Sequence, residues 1–306
     1  MTETMPSPLG FIGTGNIGQP MAEQLVKAGH RVQVNDLSRD AASPLLEAGA
    51  VFAESPRAVA EACRVIFLSL PGPPQIEAVV AGADGLLAHG REGDVIVDLS
   101  TNSYAMSVRL ARAAAERGIT YLDAPVSGGA IGARAGTLAV MIGGPEAAVE
   151  AMRPLIGHFA SNIFRVGDAG MGTMAKLVNN QLFLSCAVVL QEGFVLAAKA
   201  GLDATALLEI VKQSSGAAYA THAPFLLSRK FDDEMFQLAI AAKDVAVTLD
   251  SAQDLGVDMP ATSAALSVYR DGEDRGLGGK AFHATLQVLE QRGETEVARP
   301  RRSRPS

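Results

Sequence analysis

The sequence predicts an α/β first half followed by an all-α second half. Three observations carry this. Short apolar runs alternate with helical patterns from Leu9 to Val166, the order expected of a mostly parallel sheet with covering helices. After Gly170 the alternation stops and only helical periodicity remains. Between the halves, residues 172–198 read as one long helix. Leu182, Phe183, Val188, Leu190, Phe194 and Leu196 make it apolar nearly all round, as in a buried helix.

The elements follow in order. Leu9–Ile12 is a short apolar run that leads into Gly13-Thr14-Gly15-Asn16-Ile17-Gly18. A helix with Ile17, Met21 and Leu25 on one side ends at Gly29, and the strand 32–34 closes on Asn35-Asp36. Strand, glycine loop, helix, strand and acid is the order that a dinucleotide-binding fold requires. The glycines allow a tight turn and a close approach of backbone to a pyrophosphate, and the helix N-terminus offers it partial positive charge. Asp36 stands where an acid accepts from a ribose.

Val65–Leu68 is a buried strand ending in Ser69-Leu70-Pro71-Gly72-Pro73-Pro74. That proline-rich stretch is expected to resist helix formation, at the strand end where doubly wound sheets place ligands. Val95–Asp98 is another strand and is followed by Leu99-Ser100-Thr101. A helix over 104–117 leads to the strand Thr120–Asp123, then Ala124-Pro125-Val126-Ser127-Gly128-Gly129, whose hydroxyl and backbone N–H groups suit an anion. Strands over 138–142 and 162–166 flank a helix over 145–156. The glycine-containing run 167–170 marks the domain boundary. The expected organisation is a nucleotide domain over 1–168, a helical domain over 169–294 and a disordered basic tail over 295–306. The helical domain is read as 172–198, 204–214, 238–255, 261–271 and 281–291, separated by breakers such as Gly201-Leu202-Asp203.

Composition narrows the function. A chain of 306 residues that is 48% hydrophobic can build two cores. A net charge of −7 with no basic patch outside the tail argues against nucleic acid. Cys63 and Cys186 lie in apolar helical patterns and read as buried free thiols of a reducing compartment. No Cys/His spacing points to a metal. The N-terminus lacks a signal-peptide layout, and no run is expected to be long and charge-free enough to span a membrane, so the expected location is the cytoplasm.

On the long helix, Gly172, Lys176 and Asn180 fall four apart on one face, a bare spot followed by an amine and an amide. Lys243-Asp244 sits in the helix over 238–255, where a charged pair is ordinarily a solvated face. The apolar girth of the long helix favours a contact between subunits.

Together these stretches resemble the β-hydroxyacid dehydrogenases, the family of 3-hydroxyisobutyrate dehydrogenase and tartronate semialdehyde reductase. The resemblance runs from Leu9 to about Gln291. Its carriers are Gly13-x-Gly15-x-x-Gly18, the 123–129 segment, Gly172-x-x-x-Lys176-x-x-Asn179-Asn180, and Lys243-Asp244. It implies a Rossmann-like domain joined by one long helix to an all-helical domain. It also implies an NAD(P)-dependent oxidoreductase of small 3-hydroxy acids or their semialdehydes, working as a homodimer or homotetramer. By the same resemblance Lys176 is the catalytic acid or base and Asn180 orients the substrate. Ser127, Gly128 and Gly129 hold its carboxylate. Gly13, Gly15, Asn16, Ile17, Gly18, Asp36, Ser69, Leu70, Pro71, Thr101 and Lys243 line the cofactor, which is NAD, with NADP possible.

Two departures stand out. Ala281 and His283 replace an acid and a serine common near the family's C-terminus. Leu37 stands where many relatives carry an arginine suited to NADP, with Arg39 nearby. The rival readings are a decarboxylating phosphogluconate dehydrogenase, which has histidine at the Asn179 position, an imine reductase, which replaces the lysine, and a non-catalytic dinucleotide binder. The far end of the substrate is expected near Phe231, Phe236 and His283, and no motif defines that pocket.

Overall fold

The structure, a computed structural model, describes residues 8–232 and 236–297. Two compact units divide at Lys176/Leu177. The division falls inside the long helix Met171–Lys199, so the helix's first residues, expected in the second domain, count with the first.

The first unit is built on nine strands among the described residues, in the order β3-β2-β1-β4-β5-β6-β8-β7, with β9 also paired to β8. They are β1 (Leu9–Ile12), β2 (Val32–Asn35), β3 (Val51–Phe52), β4 (Val65–Leu68), β5 (Val95–Asp98), β6 (Thr120–Asp123), β7 (Val126–Ser127), β8 (Leu138–Gly143) and β9 (Ala160–Gly167). β1 to β6 are parallel, whereas β8 runs antiparallel to β6 and β7. β1 and β4 are fully buried apolar runs, as strands covered on both faces must be. The register aligns Ile12 with Leu68, Leu68 with Asp98, and Asp98 with Asp123. The loops after β1, β4, β5 and β6 therefore leave the same carboxyl edge. The strand order reverses between β1 and β4, the switch point where open α/β sheets bind ligands.

The 69–74 stretch corrects one expectation. A helix, Pro73–Ala81, begins inside it, with both prolines in its first turn. Those positions lack an intrahelical N–H partner in any case, so proline is tolerated there. Only residues 69–72 form the loop.

In the second unit the long helix is followed by Ala204–Lys212, Ala223–Ser228, Leu238–Asp254, Pro260–Asp274 and Thr285–Gly293. Their core contains Leu184, Val188, Phe194, Leu238, Val245, Tyr269, Leu286 and Val288. The long helix is not buried all round. Leu182, Val189 and Leu196 are 56%, 64% and 73% exposed and recur every seven residues, so they keep to one side. The helix is also long and apolar enough to cross a membrane by length and composition, contrary to expectation, although 39% of that window is buried in the protein. Cys63 is a buried free thiol, whereas Cys186 is only half-buried.

The tail does not begin at 295. Thr295 N–H donates to Glu290 O, and Val297, fully buried, donates its N–H to Glu290 Oε1. The Val297 carbonyl accepts from Arg229 Nη1, and Arg229 pairs bidentately with Glu290. This buried ion pair holds the segment in place. The basic residues 299–304 and the N-terminal residues before Pro8 lie outside the described residues.

Candidate active site

At the β1 turn the three glycines do different work. Gly13 has φ +92°, and a Cβ there would lie 2.2 Å from Ser69 O; a Cβ on Gly18 would lie 2.0 Å from Gly13 O. Both are demanded by the protein's own packing. Gly15 is exposed and a Cβ would meet nothing within 4 Å. Nothing in the fold requires glycine there, so its bare backbone leaves room for a ligand, which fits a pyrophosphate. Asn16 is exposed and Ile17 half-buried at the start of the helix Gly18–Lys27.

Asp36 is held in place. Its Oδ2 accepts from Thr14 N–H at 2.7 Å and from the Thr14 hydroxyl at 3.1 Å, and its Oδ1 accepts from Ser38 N–H at 2.9 Å. A carboxylate oxygen has two lone pairs, so Oδ1 keeps one for a ribose hydroxyl. Leu37 is fully exposed, and Arg39 packs over the Phe52 ring and pairs with Glu54.

Ser69 and Leu70 are half-buried, Pro71 is exposed, and Thr101 is half-buried on the neighbouring loop. The two loops are joined, since Leu70 N–H donates to Ser100 Oγ at 2.9 Å. Beneath them Asp98 is fully buried. It accepts from Ser100 N–H at 3.0 Å and from the Tyr121 hydroxyl at 2.6 Å. Burial pushes its carboxyl up to about 6, against the pull of those donors, and the neighbouring Asp123 adds to the rise.

Asp123 lies opposite Asp98 at the end of β6. Its Oδ1 accepts from Gly170 N–H at 2.8 Å and its Oδ2 from Thr173 N–H at 2.7 Å, which caps the long helix. Burial raises its carboxyl above the usual range. Gly172 sits in the same corner: a Cβ there would lie 2.3 Å from Asp123 O and 2.4 Å from Met141 O. The bare spot that Gly172 provides on the stripe thus receives the protein's own strand ends. One turn on, Lys176 is buried.

Ser127 is half-buried in β7, opposite Ala139. Gly128 (φ +127°) and Gly129 (φ +62°) are exposed and adopt conformations natural only to glycine.

In the second unit Asn180 is buried, with Nδ2 donating to Asp244 Oδ2 at 2.8 Å and Oδ1 accepting from Asn179 at 3.2 Å. Lys243 Nζ lies 2.7 Å from Asp244 Oδ1. Asp244, buried between them, fixes both polar groups, so the pair is no ordinary solvated face. Phe231 and His283 are buried together with ring centroids 5.4 Å apart, and the Phe236 ring packs at a tilt against Phe282. Ala281, at the departed family position, donates its N–H to Phe231 O and bridges Gln237.

Sequence reasoning missed Asp98, Tyr121, Asp123 and Asp244 as site-shaping groups. The available signal was an acid closing each of two adjacent buried strands and an acid following Lys243. Among the described residues no cluster of three or more metal-ligating side chains exists.

Comparisons with known proteins give the family. Residues 8–167 match the NAD-binding domain of 6-phosphogluconate dehydrogenase. Residues 170–289 match the NAD-binding domain of NADP-dependent 3-hydroxyisobutyrate dehydrogenase. The chain is 39% identical to 2-(hydroxymethyl)glutarate dehydrogenase of Eubacterium barkeri, over 92% of this chain and 95% of that one. It is 36% identical to 2-hydroxy-3-oxopropionate reductase of Escherichia coli, over 95% and 99%. A solved 3-hydroxyisobutyrate dehydrogenase of Mycobacterium tuberculosis superposes with a TM-score of 0.84 at 33% identity, covering 93% of this chain and 99% of that one. With matched domains across nearly its whole length, the chain belongs to the β-hydroxyacid dehydrogenase family of NAD(P)-dependent oxidoreductases acting on CH–OH donors.

Proposed function

We propose that the chain moves hydride between NAD and a small 3-hydroxy acid or its semialdehyde, with Lys176 as the proton-transfer group. The observation that carries this is a buried lysine one helical turn before a buried asparagine whose amide is fixed by Asp244. The nicotinamide supplies the hydride acceptor or donor. As the alcohol is oxidised, Lys176 takes the hydroxyl proton; in reduction it returns it to the forming alkoxide. Asn180 retains one amide hydrogen beyond its bond to Asp244, enough to position the substrate oxygen. Ser127 and the N–H groups of Gly128 and Gly129 receive the substrate carboxylate.

The cofactor preference follows from Asp36. Its carboxylate is fixed by Thr14 and Ser38 and has a lone pair for a ribose hydroxyl. A 2′-phosphate there would meet like charge, which costs several kcal/mol when desolvated. A panel of 3-hydroxy acids and semialdehydes assayed at the nicotinamide absorbance band with NAD(H) and NADP(H) tests the whole reading. NAD should have the higher kcat/KM. A ratio favouring NADP overturns the preference, and no turnover with any substrate overturns the function.

The seven-residue stripe of Leu182, Val189 and Leu196 supports a homodimer or homotetramer. A large exposed apolar patch marks an interaction surface. Light scattering at micromolar concentration should give the mass of two or four chains, and a monomer would refute the assembly.

A further inference from the structure

Two histidines of the first unit face each other and take no part in the site described above. His30 follows the helix Gly18–Lys27 and leads into β2, whereas His158 follows the helix Glu146–Ile156 and leads into β9. They are 128 residues apart in the chain, yet their Nε2 atoms lie 3.2 Å from each other. The ring centroids are 5.2 Å apart, so the two nitrogens are the corners that meet.

Both backbones are pinned at helix ends. His30 N–H donates to Leu25 O at 3.2 Å, just beyond Gly29 at φ +88°, and His158 N–H donates to Leu155 O at 3.3 Å. Each ring therefore stands past a helix C-terminus, where unpaired carbonyls give partial negative charge and favour a cation. Zinc holds imidazole nitrogen at about 2.0–2.1 Å in tetrahedral geometry, which puts two such nitrogens about 3.3–3.4 Å apart. The observed 3.2 Å fits one ion between the rings. Burial of His30, with the charge of His158, holds its ring below the ordinary value of 6.5. At neutral pH His30 is thus an unprotonated imidazole, the form that ligates metal. His158 is exposed and His30 half-buried, which leaves the pair open to ions from solvent.

We propose that His30 and His158 form a zinc-binding site that staples the turn before β2 to the turn before β9. Each ring gives its Nε2 lone pair to the metal and carries its proton on Nδ1. Two metal–nitrogen bonds replace one hydrogen bond between the rings, and the hydrated ion gives up two waters. The remaining positions stay with water, because among the described residues no third His, Cys, Asp or Glu joins the pair. The site uses none of the residues proposed for cofactor or substrate.

The test is calorimetric titration of the full chain with zinc chloride at about pH 7.5, together with thermal denaturation in zinc. Two protein ligands, in place of the four of a structural zinc site, set the Kd on the order of 10 µM. One ion should bind per chain. Zinc at about ten-fold over that Kd should raise the melting temperature of the first unit by roughly 3–6 °C, because the ion binds the folded pairing and not the open chain. EDTA should reverse the rise. Magnesium, a hard ion that prefers oxygen ligands, should produce none. His30→Gln and His158→Gln should each weaken zinc binding by at least about ten-fold and abolish the rise. If the half-buried His30→Gln fails to fold, the exposed His158→Gln decides. Absence of binding by the wild type, an equal rise in magnesium or undiminished zinc binding by a folded variant would overturn the proposal. None of these outcomes touches the dehydrogenase reading.

Discussion

Lys176→Ala should lower kcat for hydroxy-acid oxidation by at least about a hundred-fold, the usual worth of general acid–base catalysis, and leave NAD affinity within a few-fold. The lysine is buried at the start of the long helix, on a segment capped by Asp123 and packed through Gly172. That cap and that packing do not involve the Lys176 side chain, so a variant that keeps the wild-type melting temperature assigns the loss to chemistry. No histidine lies in the motifs of the proposed site. Lys176→Arg should be nearly as damaging, since a guanidinium does not release its proton near neutrality. The wild-type oxidation rate should rise with pH through one ionisation that the alanine variant lacks. Steady-state kinetics across pH checks this. Near-normal kcat with an unchanged profile would remove Lys176 from the mechanism.

Gly172→Ala should be among the most disruptive single methyl additions in the first unit. The new Cβ would lie 2.3 Å from Asp123 O, 2.4 Å from Met141 O and 2.7 Å from Gly143 N, all backbone atoms. No side chain can step aside, so either the helix start or the strand ends must shift. Overpacking costs about 1–3 kcal/mol where side chains can yield, and backbone contacts should place this variant at or above the upper end. For a unit of this size that is a fall in melting temperature of roughly 6–12 °C. Thermal denaturation measures it, and kcat should fall as well because the same helix carries Lys176. A variant with wild-type melting temperature would mean that the corner is looser than its atoms indicate.

Much of this was legible in the residues, for reasons that differ by element. The glycine loop, the apolar strands β1, β4 and β5 and the acid after β2 each carry a local signal, and the helical half shows its period. The helix beginning at Pro73 was illegible because proline forbids a helix interior but suits its first turn, and composition alone does not separate the two. At Gly172 the glycine signals a close approach but not what approaches, and only the fold brings Met141 and Asp123 to it. The hydrogen bonds among Asp98, Ser100, Leu70 and Tyr121 join residues from three separate stretches. No spacing rule links them. The long helix looked buried because its composition is apolar on every side, but composition does not distinguish a core from a surface that awaits a partner.

The clasp between Thr14 and Asp36 bears on how this enzyme could change its cofactor in evolution or by design. Thr14 is 2% exposed, and both its N–H and its hydroxyl end on one oxygen of Asp36. An exchange of Asp36 for a small or basic residue, the simplest route toward a phosphorylated ribose, would strand two buried donors at about 1–3 kcal/mol each. The adjacent Arg39 is already committed to Phe52 and Glu54 and would have to leave both to greet a phosphate. A lineage moving from NAD to NADP would therefore have to cross a less stable intermediate unless position 14 changed first. On the proposed assignment of Asp36 to the ribose, selectivity would be inherited as a pair of residues, and the path between the two cofactors would run through Thr14.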